Sequence, residues 1–119
     1  HLRSDFTFML KEGVSVGELL QALHPTPAVC GLPKRQAYDF IVHNEGHQRR
    51  YYSGFAGPLQ MANNGTHLYV SLRCMEILPR HYCLYAGGGL LKESIRAQEW
   101  QETEMKMETM RQLATPCIK

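Results

Sequence analysis

The feature that most restricts how this chain can fold is a pair of adjacent segments, both with the sequence pattern of a β-strand. From Thr66 to Leu78, one set of residues alternates with another: Leu68, Val70, Leu72 and Cys74 against Tyr69, Ser71, Arg73 and Met75. Successive side chains of a strand point to opposite faces, so this period of two predicts a strand. Pro79-Arg80 predicts a turn, and His81 to Leu91 predicts a second strand that ends in Gly87-Gly88-Gly89. Strands joined by so short a turn are antiparallel.

Helical patterns flank this pair of strands. Val16 to Leu23 has apolar residues at helical spacing, and Ser15 is placed to cap that helix. A second helix is predicted from Pro33 to about Asn44, and a last one from about Ser94 to Leu113. Further strands are predicted over 6–11 and 51–61. We therefore predict an α+β fold, with an antiparallel sheet of three to four strands and helices packed on one face.

Composition excludes several classes of protein. The 119 residues suit one domain. Thirteen Lys and Arg balance eleven Asp and Glu, so we expect no nucleic-acid partner. No apolar run reaches the roughly 18 residues of a membrane span, so we expect no membrane partner either. The four cysteines, at 30, 74, 83 and 117, lack metal-binding spacing. We expect them to be reduced, buried thiols in a cytoplasmic protein.

The last predicted helix carries a candidate site. Glu99, Glu102 and Lys106 fall on one stripe at 100° per residue, beside an apolar stripe of Trp100, Met107 and Met110. One interpretation is an ordinary i, i+4 surface ion pair. The other is a pair of carboxylates that bind a hard divalent cation such as magnesium, with the lysine facing an anionic ligand.

Two features of the predicted strands also have two interpretations each. Gly87-Gly88-Gly89 is either a bulge or flexible connection, or a place where backbone N–H groups approach an anion closely. Arg73 lies on the side of its strand away from the predicted core. It is either structural or suited to bidentate binding of a carboxylate.

Several short motifs, taken in order, resemble one family. They are His24-Pro25-Thr26-Pro27-Ala28-Val29, Gly31-Leu32-Pro33-Lys34, Arg50-Tyr51-Tyr52-Ser53-Gly54, Ser71-Leu72-Arg73-Cys74, Leu84-Tyr85-Ala86-Gly87-Gly88-Gly89, and Glu99-Trp100-Gln101-Glu102-Thr103 followed by Lys106. Their order and spacing resemble the C-terminal part of the chorismate-utilising enzymes, and among these the isochorismate synthases. The resemblance covers nearly the whole chain.

The resemblance implies a role for each matching residue. Glu102 is expected to be a Mg²⁺ ligand, with Glu99 a second ligand or a nearby carboxylate, and His1 is expected near the metal. Arg73 and Tyr52 are expected to hold the enolpyruvyl carboxylate of chorismate. Gly87, through backbone amides, and Lys106 are expected to bind a substrate carboxylate, and Thr26 and Ala28 to line the ring pocket.

The resemblance also implies what the parent enzyme does. It would be an isomerase that converts chorismate to isochorismate with Mg²⁺, for menaquinone or siderophore synthesis. The family's catalytic acid, base and remaining metal glutamate match nothing in residues 1–119. The chain is therefore expected to be the C-terminal portion of a chorismate-binding catalytic domain, inactive alone.

Three alternatives to this assignment stay open. The parent could be a salicylate synthase, or an anthranilate or aminodeoxychorismate synthase. The chain could also be a non-catalytic α+β binding module. If the chain is a fragment of any of these enzymes, the missing part would leave apolar sheet surface exposed. We therefore expect the chain to associate with itself.

Overall fold

The structure is a computed structural model, and it describes residues 3–60 and 65–114. The N-terminal half holds three helices: α1 (Val16–Leu23), α2 (Pro27–Cys30) and α3 (Lys34–Asn44). Four strands follow: β1 (Phe55–Ala56), β2 (Tyr69–Val70), β3 (Arg73–Ile77) and β4 (Tyr82–Ala86). The long helix α4 (Arg96–Ala114) comes last. The predicted α+β class is confirmed.

Helix α1 begins where the sequence predicted. The Ser15 hydroxyl accepts a hydrogen bond from the Glu18 N–H at 3.2 Å, and the Ser15 N–H donates to the Glu18 carboxylate at 2.7 Å. This reciprocal capping box satisfies two of the N–H groups that a helix start leaves unpaired. These hydrogen bonds stabilise the ionised carboxylate and therefore lower the pKa of Glu18.

The described strands form two two-stranded antiparallel sheets, β1–β2 and β3–β4, instead of the single sheet predicted. The expected strand over 66–78 is interrupted at Ser71 and Leu72. Ser71 still exchanges hydrogen bonds with the β1 side, because its N–H donates to Gly54 O at 2.8 Å and its carbonyl accepts from Ser53 at 3.0 Å. After Leu72 the chain pairs with β4 instead. One predicted strand therefore serves two sheets.

Two of the predicted strands, over 6–11 and 51–61, are absent or shorter than predicted. Residues 6–11 contain no strand, and in the described part of 51–61, which is 51–60, only β1 is a strand. The 6–11 segment has no partner strand among the described residues, and Phe6 is 84% exposed. Alternating apolar side chains form a strand only where a neighbouring strand pairs with them.

The β3–β4 hairpin has two distinct faces. Its register pairs Arg73 with Ala86 and Cys74 with Tyr85, and directly opposed residues point to the same face. Helix α4 packs along the face of Arg73 and Ala86. The face of Tyr85 is covered by the loop that carries Tyr52, whose ring stacks on Tyr85. Among the described helices, α4 packs most extensively against a sheet, and the expectation of several helices on one face stays a prediction.

Helix α4 does not bury the predicted apolar stripe as a unit. Met107 and Met110 are half-buried towards the sheet, but Trp100 is 66% exposed. The less exposed positions of α4 instead include Thr103 and Met107 and end at Ala114. None of the described helices is long and apolar enough to cross a membrane.

The described structure leaves much apolar surface uncovered. The accessible area is 10676 Å², whereas a folded monomer of this mass exposes about 6,600 Å² by the usual scaling with mass. The radius of gyration is 17.0 Å, against about 13.5 Å for a compact domain of this length. Among the described residues only Ala114 and Ser53 are buried, each with 5% of its surface exposed. Cys30, Cys74 and Cys83 are unbridged and half-buried, so the expected burial of these thiols is incomplete. Cys117 lies outside the described residues.

Candidate functional site

The glycine segment that follows β4 lies between two groups of polar side chains. A Cβ added to Gly87 would lie 2.5 Å from the Tyr52 hydroxyl, and one added to Gly88 would lie 3.3 Å from Glu99 Oε2 and 4.0 Å from Lys106 Nζ. Consecutive residues of an extended segment point to opposite sides. The two glycines thus bring Tyr52 close on one side of the backbone and α4 close on the other.

Lys106 joins α4 to this glycine segment. Its ammonium group donates a hydrogen bond to the Gly87 carbonyl at 3.2 Å and pairs with Glu102 Oε1 at 2.6 Å. The side chain of Lys106 is only 26% exposed. The interpretation as a simple surface ion pair therefore omits the contact of Lys106 with the glycine segment.

Glu99 is held from the N-terminal side of α4. Its Oε1 accepts a hydrogen bond from the Ser94 hydroxyl at 2.6 Å, and that hydroxyl accepts one from the Leu91 N–H at 3.0 Å. The other carboxylate oxygen, Oε2, is the atom nearest to the Gly88 position. Glu99 therefore presents one oxygen to the glycine segment.

Tyr52 approaches from the other face of the hairpin. Its ring stacks on Tyr85, with centroids 5.9 Å apart and planes 21° apart, and the Arg49 guanidinium carbon lies 5.6 Å from its centroid. Burial raises the pKa of the Tyr52 phenol, and the Arg49 charge opposes this only in part. The phenol thus stays protonated at neutral pH and is able to donate a hydrogen bond.

Arg73 lies on the α4 face, opposite Ala86, and its Nη1 donates to Thr109 Oγ1 at 3.3 Å. Thr109 is three residues beyond Lys106 on α4, so Arg73 borders the same end of the hairpin. Tyr52 covers the opposite face of the hairpin. The expectation that Arg73 and Tyr52 hold one carboxylate together stays a prediction.

Thr26 and Ala28 lie at the start of α2, away from the α4 cluster in sequence. The Thr26 hydroxyl oxygen is shielded from solvent and has no hydrogen-bond partner within the residues that the structure describes. Buried hydroxyls are nearly always hydrogen-bonded, so this one calls for a partner. Ala28 is exposed, and no described contact connects it to the glycine segment. His1 lies outside the described residues.

The described carboxylates provide part of a metal site. In 3–60 and 65–114, no group of three or more His, Cys, Asp or Glu side chains could hold a metal ion. Glu99 and Glu102, one turn apart, do supply the hard oxygen donors that Mg²⁺ prefers, and Mg²⁺ commonly takes only one or two protein carboxylates. The donor set fits this ion, with Lys106 paired to Glu102 in the structure.

Three contributors to this site went unnoticed in the sequence. Arg49 contacts Tyr52, Ser94 orients Glu99, and Tyr85 supports the Tyr52 ring. Glu45 and Arg49 are four residues apart, but both follow the end of α3 at Asn44, so the helical i, i+4 rule did not predict their ion pair. No sequence signal pointed to Ser94 or Tyr85, because their roles depend on how separate segments pack.

Comparisons with known proteins agree with one another. Residues 1–114 match the family model described as chorismate binding enzyme. The salicylate biosynthesis isochorismate synthase of Pseudomonas aeruginosa is 40% identical over 112 residues, which are 94% of this chain and 23% of that protein. The isochorismate synthase DhbC of Bacillus subtilis is 41% identical over 97 residues, 82% of this chain and 24% of that protein.

A third relative, the isochorismate synthase MenF of Escherichia coli, is 40% identical over 94 residues, which are 79% of this chain and 21% of that protein. No solved structure matches the chain. The chain thus spans about a quarter of the length of these curated relatives. Because the family model covers nearly all of it, the chain belongs to the chorismate-binding enzyme family, as its motifs predicted.

Proposed function

We propose that this chain is the C-terminal, substrate-carboxylate-binding part of a magnesium-dependent isochorismate synthase. The observation that carries the proposal is the contact of Lys106 with both Glu102 and the Gly87 carbonyl. It brings a cation and the Glu102 carboxylate to a side-chain-free stretch of backbone at one end of the β3–β4 hairpin, and Glu99 Oε2 lies beside the same stretch. The relatives named above as isochorismate synthases support the choice of reaction.

Chorismate carries two carboxylates, so its site must supply cationic or N–H partners. The β3–β4 ladder ends at the pair of Arg73 and Ala86, and the N–H groups of Gly88 and Gly89 lie beyond it. With no side chain on either residue, a carboxylate can approach this backbone closely. Lys106 adds positive charge on one side, and the neutral Tyr52 phenol adds an O–H donor on the other.

Charge explains why the proposed site needs a divalent cation. Glu99 and Glu102 outnumber Lys106, so these three side chains alone repel a dianion. A Mg²⁺ ion held by Glu99 and Glu102 would make the combined charge of the three side chains and the ion positive, and it would supply a Lewis acid for the substrate's ring carboxylate. Glu99 and Glu102 would hold the ion, and Lys106 would then be free of Glu102 and able to face the substrate.

The proposal assigns no acid or base to this chain. Addition of water and loss of a ring hydroxyl need both groups, and we place them in the three quarters of the relatives that this chain does not span. We therefore expect the chain to bind chorismate but not to convert it. Isochorismate formed by this chain alone would contradict that division of roles.

Calorimetric titration of the chain with chorismate in MgCl₂ tests the binding role. In Lys106→Met, the loss of a charged hydrogen-bonding group should weaken affinity by roughly 10- to 100-fold. The matched control is Lys11→Met, which removes the same charge from the exposed N-terminal segment and should bind like the wild type. Equal affinities for both variants would refute the role of Lys106.

The metal role has its own test on α4. Chorismate affinity should rise on adding MgCl₂ in the wild type and should not respond in Glu102→Gln. Glu108→Gln is the matched control, because Glu108 pairs with Arg111 on the same helix at 3.4 Å. It should keep the full response. A Glu102→Gln protein that still responds to Mg²⁺ would exclude Glu102 as a ligand.

The reaction class is decided by product analysis of a longer protein that contains this chain. Isochorismate supports the proposal. Salicylate or an aminated product would keep the family and change the reaction. No chorismate chemistry and no chorismate binding would favour the non-catalytic module.

A further inference from the structure

The side chain of Arg49 connects three segments of the N-terminal half. Its Nη1 donates to Val29 O at 2.7 Å and to Ser53 Oγ at 3.0 Å, its Nε donates to Glu45 Oε2 at 2.7 Å, and its Nη2 pairs with Glu45 Oε1. The two parallel bonds to one carboxylate fix the plane of the guanidinium group. A lysine could not make this set of contacts, because its ammonium group lacks the planar fork.

The pair of Glu45 and Arg49 stays ionised through the neutral range. The hydrogen bonds between them lower the pKa of Glu45 and raise the pKa of Arg49. Both side chains are shielded from water over most of their surface, at 29% and 23% exposed. Because the pair is partly buried, salt screens its charges less than it screens a pair at an open surface.

The backbone between Arg49 and Gly54 is held in a tight double turn. The Tyr52 N–H donates to Arg49 O at 2.9 Å, and Arg50 and Ser53 both have positive φ, at 49° and 73°. Neither residue is glycine, and such conformations persist only where surrounding contacts hold them. Ser53 is 5% exposed and accepts the Arg49 hydrogen bond. The guanidinium thus holds the turn that carries Tyr52.

We infer that Arg49, oriented by Glu45, is a positioning residue that holds the Tyr52 hydroxyl against Gly87 at the proposed substrate site. Arg49 fixes the turn through Ser53 and contacts the Tyr52 ring, and the hydroxyl at the far end of that ring reaches the Gly87 position. The inference rests on the proposed function for its consequence, which is chorismate affinity. Its structural part is testable without any ligand.

The ligand-free test measures where the Tyr52 ring lies. The wild-type chain should show a nuclear Overhauser effect between the Tyr52 ring protons and the Gly87 α-protons. In Arg49→Lys this signal should be lost, whereas Arg50→Lys should retain it, because Arg50 pairs with Glu76 instead. Glu45→Gln is a second variant that keeps Arg49 but loosens it, and it should weaken the signal. Retention of the signal in Arg49→Lys, with unchanged circular dichroism, would overturn the inference.

The second test asks whether Arg49 acts through Tyr52. Arg49→Lys and Tyr52→Phe should each weaken chorismate binding about tenfold, the usual effect of one hydrogen bond of moderate strength. The double variant should be no weaker than Tyr52→Phe alone, because residues that act in series give non-additive effects. Fully additive losses would show that Arg49 acts independently and would refute the inference.

These outcomes separate the inference from the proposed function. A wild-type chain that shows the Tyr52–Gly87 signal and binds no chorismate would remove the proposed function, while the response of the signal to Arg49→Lys would still decide the positioning role. A chain that binds chorismate, with the signal and the affinity both insensitive to Arg49→Lys, would remove the positioning role alone.

Discussion

Gly87 and Gly88 should respond very differently to the same small substitution. In Gly87→Ala the new Cβ would lie 2.5 Å from the Tyr52 hydroxyl, and ordinary contact begins at 3.4 Å, so that hydroxyl must move by about 0.9 Å. In Gly88→Ala the nearest atom, Glu99 Oε2 at 3.3 Å, ends a flexible side chain and needs to shift only slightly. Neither glycine has a positive φ, so alanine strains neither backbone.

The energetic difference follows from these two distances. Both substitutions reduce the freedom of the unfolded chain and gain about 0.4–1 kcal/mol in that way. Overpacking of a well-packed contact costs about 1–3 kcal/mol, and this applies at Gly87 alone. Gly87→Ala should therefore lower the free energy of unfolding by about 1–3 kcal/mol relative to Gly88→Ala.

A third substitution tests whether the hydroxyl is the cause. The next Tyr52 atom from the added Cβ is Cζ, at 3.7 Å, which is an ordinary contact. In the Tyr52→Phe background, Gly87→Ala should thus cost no more than Gly88→Ala. The coupling between the two changes should equal most of the 1–3 kcal/mol, a size that double-mutant cycles resolve readily at about 0.5 kcal/mol precision.

The assay is urea unfolding followed by far-ultraviolet circular dichroism, at equal protein concentrations for all variants. The slope with denaturant must be the same for each variant, since a changed slope reports a changed unfolded or folded state. If Gly87→Ala is as costly with Tyr52→Phe as without it, the hydroxyl does not lie against Gly87. The geometry of the proposed site would then be wrong.

Three further predictions concern the rest of the chain. Ser15→Ala should destabilise α1 by about 1 kcal/mol, because the capping box is lost, and hydrogen exchange of the α1 amides would measure this. The lowered pKa of Glu45 means that its stabilising effect is complete above pH 4.5 and is lost as pH falls through its folded value; acid titration of Glu45→Gln should show a shallower loss of stability than the wild type. The exposed apolar surface should make the chain associate with itself, so sedimentation should give a mass that rises with protein concentration. A monomer mass at all concentrations would contradict this.

Local signals predicted α1, α3 and α4 well but missed the short helix α2. Apolar spacing together with Ser15 defined α1, and the proline and glycine boundaries defined α3 closely. These features depend on neighbours three or four residues away, which the sequence displays directly. The same holds for the stripe of Glu99, Glu102 and Lys106, whose members do lie towards one end of the hairpin.

The sheets were predicted less well because strand pairing is not local. The alternation over 66–78 indicated an extended chain correctly, but it carried no information about the change of partner at Leu72. The 6–11 segment has strand-forming residues and no partner among the described residues. Trp100 fits a helical apolar stripe, yet it is exposed. In each case the deciding quantity was the position of a distant segment.

The interruption at Ser71 and Leu72 has a mechanical consequence. Leu72 alone separates the last hydrogen bond of one sheet from the first residue of the next, so the two hairpins would swing about a single residue if nothing else joined them. Two consecutive residues provide the second connection: the Ser53 N–H bonds to Ser71 in one sheet, and the Tyr52 ring stacks on Tyr85 in the other. The angle between the two sheets is therefore set by Leu72, by this aromatic stack and by the ion pair of Arg50 with Glu76 in β3, and a substitution can remove the stack while leaving the ion pair. A chain without that stack should show microsecond-to-millisecond exchange at β1 and β2 relative to β3 and β4, the timescale of hinge motion.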